Sequence, residues 1–255
     1  MKLFFYFFLV FFLTVKCYSQ ICGPQVRSVA EYTKVIAATP TDTAYYNRAI
    51  AKQCGKDYKG SLEDFNKAIQ LNPLFANAYN NRGVSKCNLG DHKGEMEDYN
   101  KAIELNPNDA QAYYNRGMEK DDLIDFNGAI DDYNTALKIK PDWSEAYVNR
   151  GVTKYKLKNY NDAIADYTRA TKINPKFTDA YVNIGFTKYK MKDYAEAITN
   201  YNIAIKLDPG NGLIYRARGQ AKIEQNQKTA GCADLKKAKE LGDSKADKLL
   251  EKYCH

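Results

Sequence analysis

Few residues of this 255-residue chain are of types that could carry out catalysis or hold a metal ion. The sequence has two histidines, His92 and His255, which disfavours histidine-based metal sites and Ser-His-Asp or Cys-His catalysis. The nearest cluster of carboxylates is Asp121, Asp122 and Asp125, at a predicted turn without an evident base or metal partner. We therefore expect no enzymatic activity, no cofactor, no metal and no small-molecule substrate.

A regular pattern of charges predicts ion pairs instead. Five arginines are each followed, 16 residues later, by an aspartate. The pairs are Arg48 and Asp64, Arg82 and Asp98, Arg116 and Asp132, Arg150 and Asp166, and Arg218 and Asp234. Where the arginine position holds Ile184, the position 16 residues later holds Asn200, so both charges are absent together. We predict that each pair bridges two antiparallel helices; independent surface preferences of the two positions are the alternative.

These residues belong to a 34-residue repeat that runs along most of the chain. Tyrosine, lysine, alanine and a second aromatic residue all recur at that interval, as do five prolines, Pro73, Pro107, Pro141, Pro175 and Pro209. Within one unit, Tyr147, Gly151 and Lys154 share one helical face, and Ala163 and Tyr167 share a face of a second helix. Each unit is therefore predicted to form two helices, with glycine where another helix approaches closely.

The lysine ladder has its own interpretation. Its side chains are expected to extend between helices and to hold their charges near helix C-termini, where a cation is favourable. Its members are Lys52, Lys86, Lys120, Lys154, Lys188 and Lys222.

The 34-residue period, the Tyr–Gly spacing, the Ala–aromatic–Ala pattern and the closing proline resemble the tetratricopeptide repeat. The resemblance implies an all-α fold, a right-handed superhelical solenoid of stacked antiparallel helix pairs. Six repeats are predicted at 42–75, 76–109, 110–143, 144–177, 178–211 and 212–243. Residues 20–41 are predicted to be an incomplete capping repeat with a helix over 25–38, and residues 244–255 a C-terminal capping helix. The segment 231–235 is similar to the closing repeat of many exported bacterial proteins of this family.

The N-terminus has the features of a secretory signal peptide. Lys2 precedes an apolar run that is short for a membrane span, and Cys17 and Ser19 occupy the small-residue positions before Gln20. We predict cleavage after Ser19, which makes residues 1–19 a signal peptide and the mature chain an exported protein, periplasmic or secreted. A lipid anchor on Cys17 and retention by an uncleaved N-terminal helix are the alternatives.

The cysteine positions predict two disulfides, since an exported protein can keep them. The incomplete first helix runs antiparallel to the next, which places Cys22 near Cys54, and the same register places Cys232 near Cys254. We predict both of these bonds, with Cys87 unpaired; buried free thiols are the alternative. No Cys-x-x-Cys motif is present to suggest a metal site.

The resemblance implies that the first helix of each repeat lines the concave surface of the solenoid. An asparagine ladder on that face, with amides suited to the backbone of an extended peptide, consists of Asn47, Asn81, Asn115, Asn149 and Asn183. A role in helix packing is the alternative for this ladder. Aromatic anchors with a basic edge suit a protein interface, and ordinary inter-repeat packing is the alternative for them. These candidates are Tyr114, Tyr155, Phe186, Tyr189 and Lys190.

The balance of charge does not indicate a nucleic-acid partner. The net charge is +7, from 38 basic and 31 acidic residues, and the counts show no excess typical of a basic binding face. We predict a non-enzymatic protein–protein interaction scaffold that binds a protein or an extended peptide in the concave groove. The alternative is a structural component of a cell-envelope or outer-membrane-associated assembly, and a loose association with the envelope is left open.

Overall fold

The computed structural model describes residues 22–23 and 26–254, and this part of the chain consists of α-helices joined by short connections, without a β-strand. The predicted signal peptide, Cys17 and His255 lie outside the described residues. The helices of the described part are α1 (Val29–Ala38), α2 (Asp42–Cys54), α3 (Tyr58–Leu71), α4 (Ala76–Leu89), α5 (His92–Leu105), α6 (Ala110–Asp122), α7 (Phe126–Ile139), α8 (Ser144–Lys156), α9 (Tyr160–Ile173), α10 (Thr178–Lys190), α11 (Tyr194–Leu207), α12 (Gly212–Glu224), α13 (Lys228–Glu240) and α14 (Ala246–Tyr253).

Residues 1–119 and 120–255 form two compact units. In the first unit, α1 to α5 pack against one another in chain order, and α2 also contacts α4. In the second unit, α7 to α14 pack in chain order, and α8 contacts α10, which contacts α12. Because consecutive helices are joined by short connections, neighbouring helices run antiparallel. The fold is therefore all-α, with stacked antiparallel helix pairs, as predicted from the sequence.

The core of a helix pair is an aromatic ring packed against glycine and alanine. Tyr99 is 2% exposed, and a Cβ atom on Gly83 would lie 2.6 Å from its Cε1 atom. A Cβ on Gly151 would lie equally close to Tyr167, at 2.6 Å. Real Cβ contacts are essentially never this short, so glycine allows the two helices to approach. Fully buried alanines fill the rest of the second helices: Ala68, Ala102, Ala136, Ala170, Ala204 and Ala238.

The turn between the two helices of a repeat contains a residue in the left-handed region. These residues also lie 34 positions apart: Lys56, Gly90, Ile124, Lys158, Lys192 and Asn226. Gly90 adopts its φ of 80° without steric cost, whereas Ile124, at φ 66°, carries a β-branched side chain that disfavours this conformation. The sequence analysis did not identify this position, because most of its members are not glycine or asparagine.

The terminal helices are shorter than predicted. Helix α1 begins at Val29 and not at residue 25, because Ser28 and Glu31 form a capping box: Ser28 Oγ accepts from the Glu31 amide, and Glu31 Oε2 accepts from the Ser28 amide at 2.8 Å. Helix α14 begins at Ala246, after a turn in which Asp243 accepts from the Lys245 amide at 2.9 Å. Among the helices described, none is long and apolar enough to span a membrane.

Candidate functional site

Bidentate ion pairs join the two helices of a repeat. Arg82 Nε donates to Asp98 Oδ2 at 2.9 Å, and Arg82 Nη2 donates to Asp98 Oδ1 at 2.6 Å, while Asp98 is 2% exposed. The same two-bond geometry is found at Arg48–Asp64, Arg150–Asp166 and Arg218–Asp234. Such parallel bonds fix the relative position of two helices more precisely than a single contact. In the third repeat, Arg116 donates to Asn100 Oδ1 at 2.8 Å and Asp132 pairs with Lys120 at 2.8 Å.

The same arginines also connect neighbouring repeats. The remaining guanidinium nitrogen of Arg82 donates to Asn66 Oδ1 of the preceding repeat at 2.8 Å. Its guanidinium carbon lies 5.2 Å from the centre of the Tyr79 ring, within the range of a cation–π contact. The tyrosine ladder therefore helps to orient the arginine ladder, which makes both of them structural.

The lysine ladder is a second partner of the buried aspartates. Lys86 Nζ lies 2.9 Å from Asp98 Oδ2, and the equivalent contacts are Lys52–Asp64, Lys120–Asp132, Lys154–Asp166 and Lys222–Asp234. In the fifth repeat, where Asn200 replaces the aspartate, Lys188 pairs with Asp193 at 3.0 Å. The sequence analysis missed this role, although the signal was available: each lysine lies four residues after the arginine position, on the same helical face.

The carboxylates considered for catalysis have structural partners. Asp121 is buried and forms an ion pair with Lys156, and it accepts a hydrogen bond from Thr153 Oγ1 at 2.8 Å. Asp125 caps α7 by accepting from the Gly128 amide at 3.0 Å. These contacts explain why acidic residues cluster at this turn without a catalytic role.

Disulfides fasten both ends of the described chain. Cys22 is bonded to Cys54 and Cys232 to Cys254, with Cα–Cα distances of 5.5 Å and 5.7 Å. The prediction that Cys87 is unpaired is wrong: Cys87 is also disulfide-bonded, and its partner lies outside the described residues. The helix register that placed the terminal pairs contained no information about this third bond.

Much of the asparagine ladder is occupied by packing. Asn81 is 4% exposed, and its amide donates to Tyr46 Oη at 3.1 Å and to the Asn77 carbonyl at 2.9 Å. Asn115 is 1% exposed and donates to Asn80 Oδ1 at 3.0 Å. These contacts favour the packing alternative at both positions.

The other ladder members differ in burial. Asn183 is buried as well, whereas Asn47 and Asn149 are half-buried. Tyr114, predicted to contact a partner, is only 5% exposed, so it belongs to the core and the prediction is corrected. Its place in the first helix of a repeat was read correctly, but the depth to which its ring is buried is set by the neighbouring helices.

The remaining predicted contacts lie together on α8 and α10. Tyr155, Phe186 and Tyr189 are half-buried and Lys190 is exposed; we call these four residues the aromatic surface. The ring centres of Tyr155 and Phe186 are 5.6 Å apart, and Lys190 Nζ lies 5.3 Å from the centre of the Phe186 ring. Tyr189 is in turn 5.4 Å from Tyr194.

Both tyrosines of the aromatic surface keep their protons at neutral pH. Burial raises the pKa of Tyr189 to about 12, and burial also raises the pKa of Tyr155. Their hydroxyl groups can therefore donate as well as accept hydrogen bonds. The aromatic surface thus combines apolar area, hydroxyl groups and one exposed cation.

Comparisons with known proteins identify the same repeat. Family profiles described as Tetratricopeptide repeat match residues 110–142, 144–177 and 178–211, and one described as TPR repeat matches residues 87–120. No curated protein sequence matches the chain.

Solved structures share the fold. The crystal structure of MamA is 26% identical, with a TM-score of 0.60, over 65% of this chain and 96% of that one. YrrB, described as a TPR protein with an unusual peptide-binding site, is 23% identical, with a TM-score of 0.64, over 75% of this chain and 99% of that one. PilF of Pseudomonas aeruginosa is 16% identical, with a TM-score of 0.70, over 80% of this chain and 92% of that one.

Proposed function

This chain is a tetratricopeptide repeat protein, a non-catalytic scaffold for protein interaction, and from that premise we propose that its aromatic surface binds an extended segment of a protein partner. In the proposed complex, the segment lies across α8 and α10, the first helices of two successive repeats. Binding then depends on shape and charge, with no bond made or broken.

One observation carries the proposal: Tyr155 and Phe186, from two adjacent repeats, place half-buried rings 5.6 Å apart. Partly buried aromatic side chains lose little conformational entropy on binding, and they are enriched among the residues that dominate interface energies. The equivalent region of the first unit instead contains Asn80, Asn81 and Asn115, which are buried and bonded to the chain itself.

The charges around the aromatic surface suggest the chemistry of the partner. Lys190 is exposed beside the Phe186 ring, while Lys156 already pairs with Asp121. An acidic residue of the partner next to an apolar or aromatic anchor would place its carboxylate near Lys190. YrrB, which has the same fold, has a peptide-binding site, and this supports a peptide-like occupant.

The proposal extends to the compartment. Disulfides persist in oxidising compartments and are rare in the cytosol. The bonds Cys22–Cys54 and Cys232–Cys254 support an exported location for the chain, in line with the predicted signal peptide. Transient binding of a partner and permanent membership of an envelope assembly would use the same surface and differ in the lifetime of the complex.

The test is a selection of random displayed peptides on the full disulfide-bonded chain, followed by affinity measurements. We expect peptides that contain an apolar or aromatic anchor and a neighbouring acidic residue. Affinity should fall about tenfold or more in Phe186→Ala and in Tyr189→Ala, the loss expected at an interface anchor.

Leu74→Ala is the matched control, because Leu74 is also an apolar residue and is 75% exposed, but it lies in the first unit. Its affinity should equal that of the unmodified chain. Thermal unfolding of each variant separates lost binding from lost folding. Peptides whose affinity is the same for Phe186→Ala, Tyr189→Ala and the unmodified chain would refute the proposed surface.

A further inference from the structure

One pair of core positions departs from the repeat in a coordinated way. The Ser61 and Ser85 hydroxyls lie 2.7 Å apart, and the positions 34 residues later hold Glu95 and Glu119. At the same two positions in the following repeats the residues are small or short, Ala129, Thr153, Ala163, Thr187, Ala197 and Ala221. Two carboxylates therefore stand where the repeat otherwise packs small residues.

A third departure accompanies them. The first residue of α5 is His92, where the equivalent positions are aromatic residues, Tyr58, Phe126, Tyr160 and Tyr194. His92 Nδ1 lies 3.1 Å from Glu119 Oε1 and 3.6 Å from Glu95 Oε1. All three residues belong to the first unit. Three changes of residue type thus meet at one point, and each of them introduces a group that binds metal ions.

Burial makes this cluster unlike a surface patch of acidic residues. Glu95 is 0% exposed and Glu119 is 4% exposed. The Oε1 atom of Glu119 is buried and has no hydrogen-bond partner in the described part of the chain, although it points toward His92. Burial and then the charges of Glu95 and Glu119 raise the pKa of the nearby Tyr99. Two ionised carboxylates this close in the core need a cation or a shared proton.

We propose that His92 Nδ1, Glu95 and Glu119 hold one divalent transition-metal ion, with Zn²⁺ as the best fit. Zn²⁺ binds imidazole nitrogen and carboxylate oxygen at about 2.0–2.2 Å, so two ligand atoms of a tetrahedral site lie about 3.3 Å apart. The distances of 3.1 Å and 3.6 Å from His92 Nδ1 bracket that value. The two carboxylates also neutralise the charge of the ion.

The fourth coordination position is assigned to water. The Sγ atom of Cys87 lies within 4.8 Å of the two carboxylates, but in its disulfide-bonded state it offers no thiolate. The His92 side chain is 57% exposed, so the ion and its water reach the site from solvent. Because His92 and Glu95 belong to α5 and Glu119 to α6, the ion joins the end of one repeat to the beginning of another helix pair.

The test is calorimetric titration of the full oxidised chain, stripped of metal with a chelator, with Zn²⁺ and separately with Mg²⁺. We expect one Zn²⁺ per chain, a higher Tm with Zn²⁺, and no saturable binding of Mg²⁺, which prefers oxygen ligands only. His92→Ala and Glu119→Gln should each weaken Zn²⁺ binding about tenfold or more. The exposed position of His92 and the nearly equal size of Gln keep both variants folded, which their Tm without metal would verify.

Two controls make the test specific. Glu97→Gln removes an exposed carboxylate from the same helix, and His255→Ala removes the other histidine of the chain; both should bind Zn²⁺ as the unmodified chain does. The proposal is overturned if no saturable Zn²⁺ binding is found, if Glu119→Gln binds normally, or if binding is lost with His255→Ala instead.

Discussion

Arg82 and Asp98 are joined by two parallel hydrogen bonds of 2.9 Å and 2.6 Å that connect the first and second helices of one repeat. Lys86 approaches the same carboxylate at 2.9 Å, so one buried anion serves two cations from the facing helix. A charged cluster with these contacts sets the register of two helices whose core contains mostly alanine, glycine and one aromatic ring.

Asp98→Ala should therefore destabilise the protein by about 2–3 kcal/mol, because two cations lose their shared partner in a mostly buried place. Asn200→Ala is the matched control, since Asn200 occupies the same position in the repeat that has Ile184 in place of arginine. Its expected cost is about 1 kcal/mol, for the loss of a neutral hydrogen bond to the Glu196 carbonyl. Urea unfolding followed by circular dichroism measures both, and equal losses would contradict this assignment.

Gly151→Ala should destabilise the protein by about 1–3 kcal/mol, because its Cβ would lie 2.6 Å from the Tyr167 ring and force the helices apart. Gly55→Ala provides the comparison. A Cβ at Gly55 would lie 3.4 Å from its nearest neighbour, the Lys52 carbonyl oxygen, so we expect a change within about 0.5 kcal/mol. Thermal unfolding distinguishes the two variants, and a neutral Gly151→Ala would show that close approach is not required there.

Ile124→Asn should stabilise the protein by about 1 kcal/mol. Ile124 has a φ of 66°, which a β-branched residue adopts at a cost, whereas Asn tolerates this region and occupies it at the equivalent Asn226. Ile124 is 73% exposed, so little packing is lost. Leu123→Asn, at a neighbouring exposed position without positive φ, should change the stability by less than about 0.5 kcal/mol. If Ile124→Asn lowers the denaturation midpoint, strain at this turn is not the controlling factor.

Removal of either terminal disulfide should lower the stability of its end of the chain. The cysteines are separated by 32 and 22 residues, which corresponds to about 3–4 kcal/mol for each bond in the chain-entropy model. The double variant Cys232→Ser/Cys254→Ser should show faster hydrogen exchange in α13 and α14, with α8 and α9 as the internal reference. Equal exchange in both regions would mean that helix packing alone holds the C-terminal end.

The sequence predicted the helix pairs and the Arg–Asp contacts because each depends on spacing along a helix. A residue such as Gly83 recurs every 34 positions only if its neighbour Tyr99 recurs as well, so the packing is visible in the repeat itself. The structure added what depends on side-chain reach and depth: the second cation Lys86 on Asp98, and the burial of Tyr114.

Contacts unique to one repeat were not predictable in this way. The Glu95 and Glu119 side chains are far apart in sequence, and each alone would pass for an ordinary helix residue. Only the packing of α5 with the end of α6 brings both carboxylates to His92. Likewise, Cys87 is disulfide-bonded at a position where the helix register gave no partner.

The most direct measurement of the proposed function is hydrogen–deuterium exchange of the full chain with and without a selected peptide at saturating concentration. The account predicts slower exchange in residues 144–156 and 178–190, which carry the aromatic surface, and unchanged exchange in α9 and α11. Slower exchange confined to α1–α5, or to α13 and α14, would contradict the proposal that α8 and α10 hold the partner.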